Sequence, residues 1–99
     1  MDVREIILPL SSYDGQSVTF LRDVEVDTVR RVAYQFDGVT WHGKIKIQAG
    51  ERFPMRHYTR EKFNPDNHTL SIPTTEFELD FKNVPADSYE EDNQEQETT

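Results

Sequence analysis

Imidazole titrates near neutral pH and ligates metals, so the three histidines are the first residues to weigh for chemistry. His42, His57 and His68 stand far apart, and none has an acid or a second histidine at metal-ligand spacing. A solvated imidazole is the expectation for His42, which follows Trp41 and faces away from the apolar side of its hairpin, and a metal ligand is not expected. The chain has no cysteine, which removes a thiolate zinc site, a disulfide framework and a cysteine nucleophile together. Gly15, Gly38, Gly43 and Gly50 are isolated, so no glycine-rich loop is available to cradle a phosphate. Neither G-x-S-x-G nor H-E-x-x-H occurs. Glu76 and Glu78 form a carboxylate pair, but acid–base work needs environments that push two pKa values apart, and these two lie on a regular strand pattern. No catalytic residue, no metal ligand and no cofactor is expected.

Recognition is the better expectation. Bases and aromatics interleave in one place, from Arg52 to Phe63. Arg52, Arg56, His57, Arg60 and Lys62 suit acidic partners or phosphates, and Phe53, Tyr58 and Phe63 suit anchoring or stacking. A second candidate surface is the acidic face of one strand, made by Glu76, Glu78 and Asp80. The leading expectation is a non-enzymatic protein-binding module that presents both surfaces to a macromolecular partner. Compact, acidic, cysteine-free chains of this kind are common among phage- or mobile-element-encoded inhibitors and among small accessory subunits. The alternative is a single-stranded nucleic-acid binder of oligonucleotide-binding-fold type, with an acidic tail competing for the groove. A nearly neutral body argues against it, because non-specific affinity comes from neutralising phosphates.

The elements that must position these residues are strands. Thr75 to Phe81 alternates, with Phe77, Leu79 and Phe81 on one face and Glu76, Glu78 and Asp80 on the other. His68 to Ile72 alternates likewise, and Pro73 with two threonines makes the pair an antiparallel hairpin. Asp37-Gly38 lies between two alternating runs and predicts a type I′ turn that sets Phe36 against Val39, Tyr34 against Trp41 and Val32 against Gly43. Those residues share a face with Ile45 and Ile47. Asp14-Gly15 predicts a further hairpin pairing Leu8 and Leu10 with Leu21 and Thr19. A helical period competes around 28–36, where Val29, Val32, Ala33 and Phe36 fall at i, i+3, i+4 and i+7, although β-branched valines in this stretch disfavour a helix. Ala49 to Asn67 lacks a clean period and reads as a long loop, or as a loop with one short edge strand. Six to seven short strands predict a mainly β fold, a small antiparallel barrel or sandwich.

Ninety-nine residues make one small domain with a thin core, and only 34% of them are hydrophobic. The net charge of −8 is uneven, since residues 87–99 hold six acids and no base. That segment has one aromatic and no aliphatic residue, so composition predicts a single domain over 1–84 and a disordered acidic tail over 85–99. The tail either solubilises or competes for a basic surface. No apolar run approaches the roughly 18 residues of a membrane span, and the first residues lack a signal-peptide layout. A cytoplasmic setting, of the cell or of an infected host, is expected. Asn67-His68-Thr69 has the form of a glycosylation sequon and is read as chance. Open strand edges also make a homodimer conceivable. Far-UV circular dichroism of the chain is expected to show a β spectrum, and a strong helical double minimum would contradict the strand reading.

Overall fold

The two-residue period becomes two antiparallel sheets. In the computed structural model the described residues are 3–31, 41–75 and 78–92. They contain β1 (Gln16–Phe20), β2 (Val24–Arg31), β3 (Trp41–Ile47), β4 (Arg52–Met55), β5 (His57–Arg60), β6 (Asn67–Pro73), β7 (Glu78–Pro85) and β8 (Tyr89–Asp92). One sheet has the order β4-β1-β8 and the other β3-β2-β7-β6-β5. The mainly β expectation holds, with eight strands rather than six or seven.

The inward faces share one core. Val18 and Phe20 of β1, Phe53 and Met55 of β4 and Tyr89 of β8 come from the small sheet. Val26, Ile45, Ile47, Leu70, Ile72, Leu79, Phe81 and Val84 come from the large one. Phe53 joins the two, with its ring edge-on to Phe20 (centroids 5.8 Å) and to Phe81 (5.3 Å). Edge-to-face packing of this kind adds to the hydrophobic gain of burying the rings.

The β6–β7 hairpin forms, with Ile72 opposite Leu79 and Leu70 opposite Phe81. Its register slips between His68 and Leu70, where Lys82 and Asn83 face Thr69 alone. Asn83 adopts φ 60°, a left-handed conformation that asparagine tolerates better than most residues. Phe77 and Glu76 lie outside the described residues, as does the Asp37-Gly38 turn.

Three expectations change. Asp14-Gly15 does not make a hairpin, because Val3–Glu5 and Leu10–Ser12 form 3-10 turns and Ile7 bridges Thr74 instead. Pro9 fixes its own φ and has no N–H to give to a ladder with β1. The β2–β3 register sets Thr28 against Gly43 and Arg30 against Trp41, four residues from the pairing an Asp37-Gly38 turn would impose. An even shift leaves each side chain on the same face, so the buried set Val26, Thr28, Ile45 and Ile47 is unaffected. Residues 28–31 are strand, as the alternation implies and against the competing helical period, while 32–36 lie outside the described residues. Within 49–67 there are two strands, β4 and β5, that belong to different sheets.

The acidic segment also starts later than composition implies. Ala86–Ser88 form a 3-10 turn and β8 pairs with β1, placing Asp92 opposite Ser17, so residues 85–92 are part of the body. Tyr89 is the single aromatic of the segment, and burying it anchors the strand. Residues 93–99 lie outside the described residues. Ser17 Oγ and Thr19 Oγ1 donate to the Asp92 carboxylate (2.9 and 2.8 Å), and Arg52 Nε lies 3.3 Å away. Partial burial acts to raise the Asp92 pKa, but the Thr19 and Ser17 hydrogen bonds and Arg52 outweigh it and hold it below the ordinary value. A depressed carboxylate pKa gives stability that is present above the unfolded-state value and lost as pH falls through the folded-state value. Asp92→Ala should therefore lower stability by about 1–2 kcal/mol at neutral pH in urea unfolding, with the gap narrowing below about pH 4. A gap that stays constant into strong acid would contradict this role.

Candidate partner-binding edge

β5 is the outer strand of the large sheet, and all four of its residues are exposed. The chain enters it directly from β4. Arg56 makes the crossing, and its N–H donates to Ser71 O (2.7 Å). At the other end Glu61 N–H donates to Asn67 O (2.9 Å). Antiparallel ladders alternate bonded and non-bonded pairs, so with His57 opposite Ser71 and Thr59 opposite Thr69, the N–H and C=O of Tyr58 and Arg60 point outward. These are the groups to which another strand could pair.

The turn after β5 carries Phe63, which is 91% exposed, with Lys62 Nζ 5.5 Å from its ring centroid. Tyr58 is 42% exposed and stacks on His68 (centroids 4.8 Å, 23° between planes). His68 Nδ1 is in turn hydrogen-bonded to Tyr89 Oη. Burial, then the neighbouring Tyr58 and Glu91, raise the Tyr89 pKa and keep that hydroxyl neutral. The stack thus ties the edge strand to the core through β6 and β8.

On the outward face of β5, β6 and β7 runs a groove of about 440 Å³. Arg60, Lys62 and Lys82 line it together with His57, and the buried Asp80 and Ser71 form its floor. Cross-strand pairing sets His57 against Ser71 and Ser71 against Asp80. A serine between histidine and aspartate is not the order in which a carboxylate orients an imidazole and the imidazole activates a hydroxyl. Ser71 Oγ makes no hydrogen bond. Glu61, also in the groove wall, accepts from Thr69 Oγ1 and from Asn83 N–H, which holds the bulge.

The structure sorts the residues singled out by sequence. His57 and Lys62 line the groove and Arg60 borders it at the β5 edge, whereas Tyr58, opposite Leu70, lies on the other face of the strand. Phe53 does not belong, because it is 4% exposed and lies in the core. Arg52 lies across the other sheet beside Asp92, and Arg56 pairs with Glu78 (3.1 Å). The acidic face does not form a free surface. Asp80 is 5% exposed, since neighbouring strands cover an inner strand even on the face away from the core, and Glu78 is engaged by Arg56. Glu76 lies outside the described residues. Lys82 was not singled out, although its parity with Asp80 places it on the same outward face and was legible in principle. Among the described residues there is no group of three metal-ligating side chains, and no helix is long and apolar enough to cross a membrane.

Comparison with protein families, with curated proteins and with solved structures finds no match to this chain.

Two phenylalanines ten residues apart thus have opposite roles. Phe53→Ala should cost about 3–5 kcal/mol in urea unfolding, whereas Phe63→Ala should stay within about 0.5 kcal/mol of the parent. Equal losses would contradict the placement of Phe63 at the surface.

Proposed function

We propose that this protein is a non-enzymatic protein-binding module that takes an extended segment of its partner as an added strand on β5, with Phe63 as the aromatic anchor. The observation that carries the reading is the fully exposed strand β5 with the 91% exposed Phe63 directly after it. Strand addition draws affinity from main-chain hydrogen bonds, and an aromatic beside the edge gives that strand a register. Arg56, Arg60 and Lys62 lie on or beside this edge, so a second copy paired there in antiparallel fashion would set like charges together. The edge therefore favours a different, acidic chain over a homodimer. The absence of cysteine suits a reducing compartment, and we place the module in the cytoplasm, of the cell or of an infected host, as a small inhibitor or accessory subunit. Single-stranded nucleic acid is the second reading, favoured by the exposed Tyr58 and Phe63 beside Lys62.

Affinity capture from the source cells tests the leading reading. Tyr58→Pro removes one outward N–H and the ring stacked on His68 while keeping the main-chain hydrogen bonds to β6, Phe63→Ser removes the anchor, and Leu21→Ser changes an exposed leucine between β1 and β2. One protein should be retained by the parent and by Leu21→Ser, and lost about ten-fold from the other two, all variants first being shown to melt cooperatively. Recovery of no protein, or equal loss from Leu21→Ser, overturns the proposal.

A further inference from the structure

Five of the eleven bases of this acidic chain make an ion pair among the described residues. Arg4 pairs with Glu51, Arg22 with Asp87, Lys44 with Asp27, Arg52 with Asp92 and Arg56 with Glu78. Arg60, Lys62 and Lys82, like Lys46 on β3, make no ion pair among the described residues, and these three, unlike Lys46, line the groove behind β5. Lys82 stands directly across from Asp27 in the β2–β7 ladder, yet that carboxylate is taken at one oxygen by Lys44 Nζ (2.7 Å) and at the other by Asn83 Nδ2 (2.7 Å). Lys62 and Lys82 on the outward face, with Arg60 at the β5 edge on the other parity, line the groove against two carboxylates, Glu61 and Asp80, in a chain of net charge −8. The Debye length is about 8 Å at physiological ionic strength, so this local excess is felt at close range while distant acids are screened.

We propose that the groove is the carboxylate-binding site through which β5 reads its partner, the ligand being the acidic side chains of an extended peptide. This rests on the strand-addition reading, because a strand laid on β5 would turn alternate side chains onto the outward face beside Lys62, from which acidic side chains extend across β5 and β6 toward Lys82 on β7. Charge complementarity selects the occupant. An acidic strand is attracted to the groove and to the basic edge at once, whereas a basic strand is repelled by both.

Fluorescence anisotropy with labelled decaglutamate at low salt tests the site without the native partner. Decaglutamine and a ten-nucleotide oligothymidylate serve as comparison probes. Decaglutamate should bind and decaglutamine should not. Lys62→Gln/Lys82→Gln should weaken decaglutamate about five-fold or more, while Arg22→Gln/Lys46→Gln, which changes net charge equally outside the groove, should stay within about two-fold. Equal weakening by both double variants, or by neither, overturns the proposal. So does tighter binding of the oligothymidylate with the same dependence on Lys62 and Lys82, which assigns the groove to phosphodiesters. Tyr58→Pro separates the two levels. Loss of decaglutamate with Tyr58→Pro alone keeps strand addition and removes the groove. Loss with Lys62→Gln/Lys82→Gln alone keeps the groove as an anion site and removes strand addition.

Discussion

Phe53 ties the two sheets of this small protein together. Its ring meets Phe20 within the three-stranded sheet and Phe81 in the five-stranded sheet, and Phe20 extends the cluster to Tyr89 (centroids 5.9 Å). A domain of this size buries little in total, so a contact shared by both layers determines much of the geometry. Phe53 and Met55 fix β4, and a single residue, Arg56, separates β4 from β5. The position of the exposed edge strand therefore follows from the packing of its predecessor. In the strand-addition proposal, an edge already ordered by its ladder to β6 lowers the entropic cost of association.

Charge is arranged around the same framework. Exposed ion pairs contribute little to stability, about 0–1 kcal/mol each. Their consequence here is local, because Arg60, Lys62 and Lys82 around the groove are not among the bases they neutralise. The bulge at Lys82 and Asn83 contributes twice. It lets Asn83 occupy one oxygen of Asp27, and it offers the Asn83 N–H to Glu61, so that two carboxylates near Lys82 are held by other donors. On the opposite sheet Asp92 does comparable work, joining the acidic strand β8 to Ser17, Thr19 and Arg52.

The alternating runs were the legible part of the fold. Leu79, Phe81, Leu70, Ile72, Ile45 and Ile47 face inward as their spacing implies. Pairing was less legible, because alternation fixes a face and leaves register free by steps of two. The β2–β3 ladder shows this, keeping its face while moving four residues. Asp14-Gly15 looked like a hairpin turn until Pro9 and a competing bridge to Thr74 were taken into account. For the site, residue type alone could not separate Phe53 from Phe63. They differ because the chain changes sheets at Arg56, which no local pattern announces. Asp80 was misplaced for a related reason, since alternation gives the side of a sheet and not whether that side is covered. Tyr89 was the one available sign that the acidic segment joins the body.

Amide hydrogen–deuterium exchange, read residue by residue with and without a bound acidic peptide, tests the central claim most directly. In the free protein the Thr59 and Glu61 amides should be protected and those of Tyr58 and Arg60 should exchange quickly. Binding should protect Tyr58 and Arg60 and leave the β3 edge unchanged. Protection that arises along β3 or in the three-stranded sheet, with Tyr58 and Arg60 still open, would contradict the account.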